Sequence, residues 1–318
     1  MNLFKAQENR IRCGQCNTEF DLNKNMESCP WCGFSRGSIS KERSVNLPDQ
    51  PKLDKYLSYS TLPKDLKTRP GKVVVDEESK IWGSSLMFND IFAPKFLMRI
   101  TANLLKKQNA EYISVNDLIS VSRDVIKGNG FSKLKGFPND VEDDNSLGRL
   151  VYHFLKTAVN MGLFEARSKS NGEKVWSEKW ENILITITNE GLEFARLPNS
   201  VFDEGKKEQV LTSEERKWLI NYFRRIDNTN YREYSTLREV YEFLSRGKCS
   251  YEDLCKWFRS QKRFVEYVKG KSKMTTNTFL GKQLENYSQS FASSKISLLR
   301  ELGVIKNKRN DYTVLGAL

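Results

Sequence analysis

From about Phe88 onward the chain carries its apolar residues at helical spacing. In "DIFAPKFLMRITANLLKKQ" Phe92, Phe96, Ile100 and Leu104 recur every four residues, which sets them on one face of a helix. "SVNDLISVSRDVIKG" reads as a second helix, opened by Ser114 and closed by Gly128. In "NSLGRLVYHFLKTAVNMGLFEARS" a third apolar face runs through Leu147, Leu150, Val151, Phe154, Leu155 and Ala158, and the helix stops at Met161-Gly162. The period then changes. "LFEAR" and "ILITITNEG", the latter with Ile183, Ile185 and Ile187 on one side, read as strands. Asn171-Gly172 between them is a hairpin-turn dipeptide. "GLEFARL" adds a closing helix.

The second half repeats the plan. "LTSEERKWLINYFRRI" opens with Thr212 and Glu215 three apart, a capping box. "STLREVYEFLSRG", "SYEDLCKWFRSQKRFVEYVKG" and a last helix over about 278–302 follow. Then "GVIKNKR", the turn Asn310-Asp311 and "YTVL" predict a short hairpin. The two halves echo each other at Met161-Gly162-Leu163-Phe164 and Leu302-Gly303-Val304-Ile305. In each, glycine ends a helix and two apolar residues begin a strand beneath it. Helices followed by a hairpin, with "LLRELGVIK" placed like the end of a recognition helix and the first wing strand, resemble winged-helix domains over 85–198 and 211–318. The stretch from Ser250 to Leu302 holds more helix than a minimal winged helix requires. The resemblance implies that helix 146–160 or 278–302 enters a major groove while basic wings touch phosphates or the minor groove.

The first 84 residues read differently. Between 37 and 84, Pro48, Pro51, Pro63 and Pro70 exclude a long helix. "KVVVD" is long enough for one strand, and the segment reads as an extended linker, partly ordered against the next domain. Residues 1–36 hold four of the six cysteines, as two CxxC pairs, Cys13/Cys16 and Cys29/Cys32. CxxC is the shortest spacing that lets one tight turn aim two sulfurs at one ion, and four thiolates close a tetrahedral Zn²⁺ shell. Gly14, Gly33 and Pro30 supply the turn geometry. The knuckles "RCGQCNTEF" and "SCPWCGFS" resemble a zinc ribbon, which implies a small β-hairpin fold around one structural zinc. A redox CxxC would open a helix beside a βαβ unit, and that pattern is missing. Cys249 and Cys255, six apart, read as ordinary buried or half-buried helix residues.

Composition narrows the function. The chain has 318 residues and a net charge of +12, and mean hydropathy is −0.60. No run approaches 18 uninterrupted apolar residues, so no membrane span is expected. The N-terminus has no apolar leader region, and six cysteines are too few for a disulfide scaffold. Both point to a reducing, cytoplasmic setting. Charge is concentrated at the C-terminus: residues 251–318 carry 13 basic and 6 acidic side chains, whereas 81–200 are nearly neutral at net +1. A local basic excess points to a polyanion, most often nucleic acid. The candidate contacts are Lys256, Arg259, Lys262 and Arg263 in one helix, Lys269, Lys271 and Lys273 after it, and Lys295, Arg300, Lys306, Lys308 and Arg309 around the last helix and wing. Lys256, Arg259 and Arg263 fall at helical spacing and so share a face, while the interleaved Trp257, Phe258 and Phe264 read as core.

Catalytic chemistry is thin. The single histidine, His153, lies among apolar helix neighbours and reads as a packing residue. There is no phosphate-binding glycine loop, and "EDDN" at 142–145 reads as an acidic helix start. The expectation is therefore a non-enzyme, mainly α with small β-hairpins (α+β): an N-terminal zinc ribbon (1–36), a linker (37–84) and tandem winged-helix-like domains. It would bind nucleic acid, with double-stranded DNA leading, as a regulatory or machinery protein with one Zn²⁺. The alternative is an adaptor that docks other proteins, through the ribbon or the nearly neutral first winged-helix-like domain, in a DNA-processing, chromosome-organising or defence complex.

Overall fold

The computed structural model of the protein describes residues 10–13, 19–21, 39–40, 56–84, 92–131, 144–170, 175–177, 179–205, 211–247, 249–271, 277–308, 311–316 and 318. The chain divides into two compact units, Met1–Pro51 and Lys52–Leu318. In the first, β1 (Arg10–Cys13) pairs antiparallel with both β2 (Glu19–Asp21) and β3 (Ile39–Ser40), in the order β2-β1-β3. Ile11 lies opposite Phe20, and Cys13 opposite Ile39. Cys13 is the last residue of β1. Cys16, Cys29 and Cys32 lie outside the described residues.

The second unit is mainly helical with two small antiparallel sheets. It begins with a segment that packs on the helices rather than linking them. Its 3-10 turn Tyr59–Thr61 leads, after irregular backbone, to α1 (Glu77–Trp82). Asp76 and Ser79 cap α1 reciprocally, with N···O distances of 2.8 and 2.9 Å. The next seven elements are α2 (Phe92–Gln108), β4 (Ile113–Ser114), α3 (Val115–Asn129), α4 (Asp144–Asn160), β5 (Phe164–Ser168), β6 (Ile183–Ile187) and α5 (Asn189–Arg196). Their sheet runs β4-β6-β5, so the first strand pairs with the third, and Ile183, Ile185 and Ile187 turn inward as their alternation predicts. The β5–β6 connection is not a tight turn. It carries two 3-10 turns, Val175–Ser177 and Trp180–Asn182, and the expected turn at Asn171-Gly172 lies outside the described residues.

The rest of the unit comprises α6 (Ser213–Asp227), α7 (Glu233–Ser245), β7 (Cys249–Ser250), α8 (Tyr251–Ser260), α9 (Lys262–Lys271), α10 (Asn277–Glu301), β8 (Ile305–Lys308) and β9 (Asp311–Val314). The sheet runs β7-β9-β8, again with the first strand paired to the third. From α7 onward the order of the earlier set recurs, with α9 inserted. Lys308 lies opposite Asp311, so the connecting residues are 309–310, one position earlier than the expected Asn310-Asp311. α4 and α10 end alike. Gly162 has φ +77° and Gly303 has φ +73°. Leu163 N–H donates to Ala158 O and Val304 N–H to Leu299 O, while the glycines donate to Val159 O and Arg300 O. This is the paired bonding of a Schellman cap, and it needs a residue that tolerates positive φ.

α2 is buried on nearly every side, including its cations. Lys95 Nζ lies 2.5 Å from Glu215 of α6 and donates to Leu197 O, with Glu215 fully buried. Burial outweighs the pull of Glu215 and brings the Lys95 ammonium down to about 8. Arg99 clasps Asp203 with two bonds of 2.7 and 2.8 Å and donates to Ala195, Leu197 and Leu57 carbonyls. Trp218 of α6 stacks between Phe194 and Tyr222, and Tyr222 donates to Met161 O. The helical sets on either side of residues 206–210 therefore form one packed body. Trp82 inserts into a cluster with Trp257, Phe258, Phe264 and Phe291, ring centroids 5.2–6.5 Å apart, and so joins α1 to α8, α9 and α10.

Candidate nucleic-acid interface

The basic C-terminal stretch is built on α8, α9, α10 and the β8–β9 hairpin. Ser250 caps α8, and the hydrogen bond from its hydroxyl holds the Asp253 carboxyl below its ordinary range. Leu254, Cys255 and Phe258 face inward. Trp257 is half-buried, and Phe258 and Phe264 are fully buried, so these aromatics fill the core rather than offering stacking platforms.

The predicted single helix carrying Lys256, Arg259, Lys262 and Arg263 is two helices. Gln261 is extended (φ −78°, ψ 118°); its N–H donates to Phe258 O, and its own carbonyl accepts from Phe264 and Val265. The break lets Phe258 and Phe264, six residues apart, both reach Trp82. Helical spacing therefore does not carry from Arg259 to Arg263. Arg263 instead lies 4.1 Å over the Trp82 ring and pairs with Glu239.

Of the predicted contact residues, Lys295 is corrected outright. It is fully buried in α10, with Nζ 2.5 Å from Glu233 and 2.9 Å from Ser84 O. Periodicity alone could not separate it from surface lysines; the signal was its place in "FASSKISLL", an apolar and small-residue run. Lys256 and Lys262 are exposed, paired with Glu252 at 2.8 Å and Glu266 at 3.9 Å. The hydrogen bond that Lys256 donates to the Glu252 carboxylate raises its ammonium above its ordinary value. Such exposed pairs are worth little and give way to a stronger anion. Arg259 is half-buried. Lys269, Lys271, Arg300 and Lys306 are exposed, with no ion pair among the described residues, and Lys271 lies 5.7 Å over the Tyr267 ring. Lys308 is in β8, and Lys273 and Arg309 lie outside the described residues.

α10 divides along its length. From Phe291 to Leu302 it is buried on most sides, but Lys282, Glu285, Asn286, Gln289 and Ser290 are exposed at spacings of three, four, seven and eight. Charge does not mark this stripe in the sequence, since Lys282 and Glu285 offset each other. α4 is different. A Cβ at Gly148 would lie 1.8 Å from the Trp180 ring. One turn on, Tyr152 meets Trp176 edge-on at 5.3 Å and donates to its carbonyl at 2.6 Å. The β5–β6 connection thus covers the Gly148–Tyr152 face. His153, expected to pack, is exposed beside Tyr152. Cys249 belongs to β7 rather than a helix, and burial pushes the Cys255 thiol up to about 11.

Compared with protein-family models, curated proteins and solved structures, the chain matches none of them. No helix among the described residues is long and apolar enough to cross a membrane.

Proposed function

We propose that the chain is a nucleic-acid-binding protein, acting on double-stranded DNA as a regulatory or machinery component rather than as an enzyme. In this reading residues 85–198 and 211–318 are tandem winged-helix-like domains behind a zinc ribbon at 1–36. One observation supports it: the order helix, strand, helix, helix, strand, strand of the first set recurs in the second with one more helix, α9, inserted, and in both the first strand pairs with the third. That is the connectivity of a helix presented beside a hairpin wing. The second copy adds the charge. Lys269, Lys271, Arg300 and Lys306 are exposed cations, and the N-terminal half of α10 offers Asn286 and Gln289, side chains suited to base edges.

Cys13, Cys16, Cys29 and Cys32 would hold one Zn²⁺ that supplies folding energy. In support, Cys13 lies in β1, which pairs with β2 and β3.

The adaptor reading is favoured at one place, the first copy. The face of α4 at Gly148 and Tyr152 is already occupied by Trp176 and Trp180. In the DNA reading this copy supports the second one rather than reading bases with that face.

The test is binding of a labelled duplex between 50 and 200 mM salt. A protein that neutralises phosphates loses affinity linearly on a log–log plot, with a slope of about 0.9 for each phosphate it neutralises. The variant Lys306→Gln/Lys308→Gln/Arg309→Gln is expected to lower that slope by roughly one for each phosphate no longer neutralised. Duplex binding with no salt dependence, or none at all, overturns the DNA reading in favour of the adaptor.

A further inference from the structure

The segment before α1, expected to be a linker partly ordered against the next domain, is fastened to the helices at several points. Leu57 O accepts from Arg99, and Tyr59 N–H donates to Asp203 at 2.9 Å. Arg196 donates to Pro63 O at 2.7 Å. Thr68 hydroxyl meets Asn189 Oδ1 at 2.5 Å, and Asn189 N–H returns to Arg69 O at 2.8 Å. Gly71 N–H donates to Glu190 at 2.7 Å and Val74 N–H to Asn160 O at 2.8 Å. A Cβ at Gly71 would lie 1.7 Å from Gly162 O, so the strap touches the backbone at the end of α4 directly.

Nearly all of these anchors are backbone groups or short side chains. The long side chains are left over. Between Lys64 and Lys72 the strap has four cations, Lys64, Lys67, Arg69 and Lys72, against one carboxylate, Asp65. All four are exposed. Lys64, Lys67 and Lys72 have no ion pair among the described residues, and Arg69 pairs with Glu111 where both side chains are more than half exposed. Further cations stand at both ends, each beside a partner. Lys106, at the end of α2, reaches Asp65, and its neighbour Lys107 lies over Tyr56. At the other end Glu190, which accepts from Gly71, lies 3.6 Å from Arg225 of α6.

We propose that this strap is a second polyanion track, binding the sugar-phosphate backbone of nucleic acid from the end of α2 to the end of α6. A strap held by its backbone presents its lysines at fixed positions, so little main-chain entropy is lost when they meet phosphates. Contacts of this kind set orientation and affinity without reading sequence. The proposal rests on the nucleic-acid reading above and adds a separate contact surface to it.

The experiment compares full-length protein with Lys64→Gln/Lys67→Gln/Lys72→Gln, using the same duplex and salt series. Each neutralised phosphate accounts for roughly a 3.5-fold loss of affinity over a fourfold rise in salt. The triple variant is expected to lower the slope by two to three, with an unchanged thermal midpoint, because none of the three makes an ion pair among the described residues. Lys64→Arg/Lys67→Arg/Lys72→Arg is expected to keep the wild-type slope. An unchanged slope in the Gln variant, while the wing variant still loses slope, overturns the strap and leaves the function standing. Loss of slope in the Arg variant as well overturns it too, since charge would not be the cause. No salt-dependent binding by wild type overturns both.

Discussion

Replacing Lys295 with methionine separates a structural lysine from a DNA contact. Lys295 and Glu233 are both buried, and their polar atoms close a small circuit. Lys295 Nζ bonds Glu233 Oε1 at 2.5 Å and Ser84 O at 2.9 Å, and Ser84 N–H bonds Glu233 Oε2 at 2.7 Å. Methionine keeps the length and most of the volume but removes the charge and two bonds. Glu233 is left as a buried carboxylate without its cation, and the Ser84 carbonyl loses its donor. Breaking one side of such a pair costs about 3–5 kcal/mol. At about 2–4 °C per kcal/mol for a body of this size, the melting midpoint is expected to fall by roughly 6–20 °C. Urea unfolding should show a lower midpoint at constant m-value. DNA affinity, measured well below the new midpoint, should keep the wild-type salt slope, because the ammonium never reaches solvent. Adding Glu233→Gln, which still accepts from Ser84 but carries no charge, should recover much of the loss. A Lys295→Met protein within about 1 kcal/mol of wild type would refute the buried-pair account, as would a lower salt slope at unchanged stability.

Three further outcomes are expected. Elemental analysis of protein purified without chelators should find one zinc per chain, and Cys29→Ser should abolish it while the 52–318 unit keeps its melt, since no metal-binding cluster occurs among the described residues. Trp82→Ala should cost about 3–5 kcal/mol, because its ring contacts Trp257, Phe258, Phe264 and Phe291; a loss below about 1 kcal/mol would mean α1 is not part of that core. Burial raises the Cys255 thiol from 9.0 to about 11, so the folded state keeps a proton that the unfolded chain releases between those values. Its contribution to stability is complete below about pH 9 and is lost as pH rises through about 11; Cys255→Ser should flatten that part of a stability-versus-pH curve.

The helices and the glycines that end them were legible because both depend on local chemistry. The 3.6-residue period marks a buried stripe, and a Schellman cap needs positive φ, which glycine supplies at Gly162 and Gly303. What escaped was non-local. Nothing in "YLSYSTLPKDLKTRPGK" announces that Arg99, Asn189 and Glu190 bind its backbone, since those partners lie some 40 to 120 positions away. The break at Gln261 escaped for a similar reason. No proline or glycine marks it, and it is explained by two phenylalanines converging on a tryptophan far upstream. Lys295 was misread because a lysine's charge is visible in sequence and its burial is not. Cations grouped by charge alone therefore included one that holds the fold.

The recurrence of one element order does not give the two copies equal surfaces. In the first copy, Trp180 lies where a Cβ on Gly148 would be, so glycine at that position and tryptophan in the connection act as a matched pair that covers α4. In the second copy Lys308 lies opposite Asp311, so the connection between β8 and β9 is only two residues long, and a polar stripe of α10 from Lys282 to Ser290 is exposed. The length of the hairpin connection thus separates a covered helix from an available one. The Lys95–Glu215 pair and the stacking of Trp218 on Phe194 then join the copies. In the proposed reading, strap and hairpin would present their cations from one packed body, so binding at both would not incur the loop-closure cost that a flexible linker adds.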